Sequence, residues 1–134
     1  MRRKTSLTAL ARHELEHAMT GTSGRSAATV LGGHDRMLRQ TVIGMRAGES
    51  LDVGESPGEA SVHVLSGRVV LHSGGRKSFG WVGDLLVIPA AAHSLEAVEN
   101  SAILLTVAKS MPSRPDLVPA ESIHELAEST VGEE

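Results

Sequence analysis

The sequence predicts an all-β chain: an antiparallel sandwich or barrel with an amino-terminal helix and a short helical tail. Three observations predict it. From Met37 to Ala108, short runs rich in Val, Ile and Leu alternate with Gly, Pro, Ser and Asp. Many short strands so closely spaced make a sandwich or barrel. No helix-length gap separates these runs, which excludes parallel βαβ units, whose crossovers need about a dozen residues or more. Helical periodicity is confined to residues 6–19 and 120–129.

The elements follow in order. Residues 6–19 read as an amphipathic helix capped by Ser6, with Leu7, Leu10, Ala11, Leu15 and Ala18 at helical spacing and Gly21 and Gly24 at its end. The polar stretch 21–26 is a loop. Residues 27–31 make a short strand closed by Gly32-Gly33. Strands are expected over 37–46, 50–53, 60–65, 68–72, 76–80, 85–88, 93–98 and 101–108. Gly48, Pro57-Gly58, Gly67, Ser73-Gly74-Gly75, Gly83-Asp84 and Glu99-Asn100 punctuate them. Ser73-Gly74-Gly75 is a hairpin turn, because glycine supplies the positive φ such turns need. Beyond Lys109, Pro112, Pro115 and Pro119 stiffen a connector that leads into a short helix over 120–129, with Ile123, Leu126 and Ala127 on one face. The organisation expected is one domain: an arm over 1–36, a barrel over 37–109 and a Pro-rich acidic tail over 110–134.

Composition narrows the function. With 40% hydrophobic and 22% charged residues among 134, the chain is globular and long enough for one core. Phe79 and Trp81 are its only aromatics, too few for a base-stacking platform. The net charge of -3 offers no general pull toward nucleic acid, and the basic tip Arg2-Arg3-Lys4 precedes no legible helix-turn-helix. The absence of cysteine excludes disulfides, thiolate metal sites and cysteine nucleophiles. No apolar run reaches the roughly 20 residues of a membrane helix, and Leu7–Ala11 is too short for a signal segment. A cytoplasmic protein with no nucleic-acid and no membrane partner is expected. Charge is graded along the chain: seven Lys/Arg against three Asp/Glu over 1–40, four against seven over 41–108, and two against six over 109–134. Such charges read as solvated surface, since exposed pairs are weak. No Gly-x-Ser-x-Gly elbow is present, and Thr29–Gly33 lacks the lysine of a phosphate loop.

Residues 48–108 resemble the core of a cupin. The first cupin motif is Gly, five residues, His-x-His, three or four residues, Glu, six residues, Gly. Here Gly48, positions 54–56, position 60 and Gly67 hold that frame, with Val64-Leu65-Ser66-Gly67-Arg68-Val69 in place of the usual strand and turn. The second motif is Gly, five residues, Pro-x-Gly, two residues, His. Gly83 and Pro89 fit it, Ala91 replaces the glycine, and His93 arrives one residue early. The resemblance implies an antiparallel double-stranded β-helix, the jelly-roll barrel. It also implies an inward-facing metal centre built from two histidines and a glutamate of the first motif and one histidine of the second. Most of those ligands are missing here: the first-motif positions are Gly54, Ser56 and Ala60, and only His93 matches. One imidazole does not make a catalytic metal site, which takes about three protein ligands.

Neighbours are the alternative source of ligands. Glu55 and Glu59 flank the lost positions and should face away from the interior, and if position 60 faces inward then His63 faces outward. A rebuilt site would join His93 to His34, His63 or His72 and take iron, manganese, nickel or zinc. The reading favoured is a degenerate site with no cofactor: a small-molecule-binding, sensory or accessory protein with no catalytic residue assigned. Its pocket candidates are His93, Ser56, Trp81 and Arg39, the last as a planar fork for an anionic group. Trp81 is expected to line that pocket, or to sit in the core under the amino-terminal helix or at an interface. The alternative is a cupin enzyme of oxygenase, isomerase or epimerase type using His93. A homodimer is also expected, with the amino-terminal segment across the partner's barrel, because short barrels hide their sheet edges by pairing.

Overall fold

Helix α1 (Leu7–Thr20) starts where a hydroxyl can satisfy an orphan amide: the Ser6 side chain accepts from the Ala9 N–H at 3.2 Å. It ends where the Gly21 N–H reaches back to the His17 carbonyl at 2.9 Å. The computed structural model describes residues 4–53, 59–90 and 92–108, the side chain of His93 excepted. The Pro-rich connector and tail helix, the Pro57-Gly58 break, and Gly54, Glu55 and Ser56 lie outside the described residues.

Among the described residues nine strands follow the helix: β1 (Arg25–Leu31), β2 (Leu38–Met45), β3 (Ser50–Asp52), β4 (Glu59–Ser66), β5 (Arg68–Ser73), β6 (Arg76–Trp81), β7 (Leu85–Val87), β8 (Ala92–Ala97) and β9 (Ser101–Ala108). They form a five-stranded sheet, β1-β2-β9-β4-β7, facing a four-stranded sheet, β3-β8-β5-β6. Every ladder among the described residues is antiparallel. From β2 onward the chain changes sheet at nearly every turn, the winding of a jelly roll. Beyond the β1–β2 pair, β5 and β6 follow each other as a local hairpin, through Gly74 (φ +54°) and Gly75 (φ +83°). β1 is the edge of the larger sheet, so the sheet begins at Arg25.

Alternation along each strand makes the core. Ile43, Met45, Val62, Val64 and Ile103 from the larger sheet meet Val69, Leu71, Leu95 and Ala97 from the smaller. Met45, Leu95, Ile103, Val62, Val64 and Val69 are fully buried, each worth about 1.5–3 kcal/mol of transfer free energy. Gly80 lets the sheets close together: a Cβ there would stand 3.0 Å from Leu86 Cδ1 and 3.1 Å from Val64 Cγ2.

Helix α1 covers the opposite face of the larger sheet, packing on β1, β2, β9 and β4. It buries Ala11, Glu14 and Ala18. The sheet answers with small residues, Gly44 and Ala102, beside Val42. A Cβ on Gly44 would land on the backbone carbonyl of Glu14.

Candidate functional site

The glycines of both motifs sit where only glycine is comfortable: Gly48, Gly67 and Gly83 have φ of +91°, +78° and +92°. At Gly67 a Cβ would collide with the Asn100 carbonyl and the Ser101 hydroxyl. Ser101, fully buried, accepts from the Arg68 N–H at 3.0 Å and lies 2.7 Å from the Glu99 carbonyl. The Gly83 turn is pinned onto β4 by Gly83 N–H to Val64 carbonyl (2.8 Å) and Val64 N–H to Asp84 carbonyl (2.9 Å). The turns at these three glycines are therefore formed.

The donors of the motif are absent from β4. Ala60 is buried at the start of β4, where a ligand carboxylate would be needed, and the row continues inward as Val62 and Val64. Methyl groups have no lone pair to offer. Ala60, Val62 and Val64 thus offer no donor to a metal at the barrel centre. His93 lies on β8, where the register against β5 passes from His72↔Ser94 to Ser73↔Ala92, so His93 is the residue without a partner. Its side chain and Ser56 lie outside the described residues.

The remaining histidines named from the sequence are not brought together. His34 is exposed in the turn after β1. His63 pairs with Leu104 and alternates with the core residues Val62 and Val64, so it faces outward. His72 stands on the outer face of the smaller sheet, its Nε2 2.9 Å from Glu96 Oε1.

Arg39 is exposed near the start of β2, opposite Val107. It shares a strand face with half-buried Thr41 and buried Ile43 and Met45. β9 mirrors this gradient, from buried Ile103 to half-buried Leu105 and Val107. The inward row thus opens to solvent at this end, with Arg39 at its rim.

Trp81 corrects one expectation. It is 53% exposed on the edge strand β6, on the outer face of the smaller sheet, while α1 lies over the larger. It belongs neither to the core nor under the helix. The reason is strand phase: Gly80 takes the inward position, so Phe79 and Trp81 point out. The Arg68 guanidinium lies 4.7 Å from the Trp81 ring centroid and 5.7 Å from that of Phe79. Across the turn, Val82, Leu85 and Val87 are also exposed.

Sequence reasoning missed a cluster on α1. His13, Glu14 and His17 each offer one ligand atom, all within 4.8 Å of one another. The signal was present in plain letters: His13-Glu14-Leu15-Glu16-His17 is a His-Glu-x-x-His run on a helix, which sets two imidazoles one turn apart. The rings are 4.2 Å apart between centroids. Glu14, 5% exposed, accepts from the Ser26 hydroxyl at 2.6 Å through Oε1, and its Oε2 stands 3.8 Å from His13 Nε2. His13 also lines an open groove of about 850 Å³ between α1 and β1, with Leu10, Ala28 and Val30 among its walls.

No protein-family model and no curated protein matches the chain. Solved structures do. The chain is similar to a conserved protein of unknown function from Streptococcus pyogenes, 26% identical over 84% of this chain and 92% of that one, with a TM-score of 0.64. It is similar to a cupin superfamily protein from Desulfitobacterium hafniense, 21% identical over 64% and 78%, TM-score 0.58. A Cupin 2 conserved barrel domain protein from Salinispora arenicola is 14% identical over 80% and 86%, TM-score 0.54. Among the described residues, no helix is long and apolar enough to cross a membrane.

Proposed function

This chain is a small cupin-fold protein, and we propose that it serves as a binding module for a small organic molecule, with no metal chemistry at the barrel centre. One observation carries the reading: Ala60 stands buried where a metal-holding barrel needs a carboxylate, and the row behind it is valine. A barrel lined in this way lacks a cage, and its apolar inward row becomes accessible at the Arg39 end. Fold alone does not choose the ligand. The rim does narrow it: Arg39 is a rigid bidentate donor beside an opening row of Thr41, Leu105 and Val107, which suits a small carboxylate or phosphate ester with an apolar body.

The test has two arms. Small organic anions are screened by thermal shift against the chain and its Arg39→Ala variant, and stabilisation that depends on Arg39 is expected. Metal content is measured in a His13→Ala, His17→Ala double variant purified without chelator, so that the helix cluster does not contribute. Stoichiometric iron, manganese, nickel or zinc in that variant would overturn the reading.

The partner we propose alongside the ligand is a second copy of the chain. Support comes from the two edge strands β6 and β7, which carry exposed Phe79, Trp81, Leu85 and Val87. Apolar edges of this kind are usually covered.

A further inference from the structure

We propose that His13, Glu14 and His17 form a binding site for a divalent transition metal on the outside of the barrel. The site is independent of the reading of the barrel interior.

The geometry is close to what such an ion needs. Metal–ligand lengths near 2.0–2.1 Å at tetrahedral angles put neighbouring ligand atoms about 3.3 Å apart. His13 Nε2 and Glu14 Oε2 already lie 3.8 Å apart, and the three ligand atoms lie within 4.8 Å. The remaining contraction is about 1.5 Å or less and needs only rotation of exposed imidazoles, since the His13 side chain is 57% exposed. The backbone supplies the rest: positions 13 and 17 are one turn apart on a helix capped at Ser6 and docked along its length.

Glu14 distinguishes this cluster from an ordinary pair of surface histidines. The residue is 5% exposed within an otherwise apolar stripe, Ala11 and Ala18 being its buried neighbours. One oxygen is held by the Ser26 hydroxyl across the helix–sheet contact, which leaves the other aimed at His13. A hydrogen-bonded carboxylate beside two imidazoles is the arrangement in which an outer group orients a ligand. Two imidazoles and one carboxylate suit zinc, nickel, copper or cobalt over calcium or magnesium.

Three protein ligands leave a position open. Water or a small donor molecule completes the shell, and His13 joins the site to the groove walled by Leu10, Ala28 and Val30.

The experiment uses the full chain after chelator treatment. Co(II) is titrated and the visible d–d band of a low-symmetry site is followed; Zn(II) binding is measured by calorimetry. One equivalent per chain is expected. His13→Ala and His17→Ala should each weaken binding by roughly 10–100-fold or more. Both side chains are exposed, so far-UV circular dichroism and metal-free melting should not change. Glu14→Gln keeps an acceptor for Ser26 and should weaken binding without unfolding the helix. His63→Ala and His72→Ala should leave the affinity as it is. Absence of binding by the unsubstituted chain overturns the proposal, as does affinity retained in the His13→Ala, His17→Ala double variant.

Discussion

Replacing Gly44 by alanine tests whether α1 is seated on the larger sheet. The new Cβ would stand 2.5 Å from the Glu14 carbonyl carbon and 2.6 Å from the Leu15 nitrogen. Carbon contacts relax only near 3.5 Å, so the helix must retreat by about 1 Å. Those atoms are helix backbone and cannot swing aside as a side chain would. Overpacking of this kind costs about 1–3 kcal/mol. The retreat also stretches the Ser26–Glu14 bond, which is charge-assisted and worth about 1.5–3 kcal/mol. We expect a loss of about 2–4 kcal/mol, with the lower figure if the helix tilts and keeps that bond. For a domain of this size that lowers Tm by about 6–16 °C. Thermal unfolding by far-UV circular dichroism measures it, with Gly74→Ala as the comparison, where nothing lies within 4 Å and only the backbone conformation is strained. A Gly44→Ala chain melting within about 2 °C of the original, with its helical signal intact, would refute the docking described above.

Ser101→Ala removes the buried hydroxyl that serves Arg68 and Glu99; it should cost about 1–3 kcal/mol in chemical unfolding, and a change under about 0.5 kcal/mol would count against that network. If a second copy covers the β6–β7 edge, Trp81→Lys with Leu85→Lys should convert a dimer to a monomer in light scattering, with the fold retained, because both side chains are more than half exposed. A monomeric original chain at micromolar concentration would remove that proposal.

Much of the fold was legible because strand and turn signals here are local. Residues 101–108 read as a strand with the bounds observed, since Ser-Ala-Ile-Leu-Leu-Thr-Val-Ala follows the break at Glu99-Asn100. The helix was off by one residue at each end, and Ser6 capped it as expected. His63 faces outward as strand alternation required once Ala60 was set inward. Trp81 was placed in the core or at an interface because of its rarity; the core placement fails because its phase is set by Gly80, a residue with no hydrophobic side chain to reveal the inward face. The α1 cluster was missed for a related reason. Amphipathicity was read from Leu and Ala, and the acid in the same stripe was passed over, although Glu14 is buried and two histidines flank it. Which histidines meet is a matter of tertiary packing, which strand spacing does not report.

The place of β9 has a consequence for how the chain is made. β2 and β4 never pair with each other; each pairs with β9, which lies between them. While residues 101–108 are still inside the ribosome, the larger sheet has no centre, and α1 has only the β1–β2 ribbon to rest on. Strand closure across about 60 residues is slow compared with forming the β5–β6 hairpin. Completion of the barrel is therefore an event that follows synthesis of β9, and until then two bare strand edges await the same keystone.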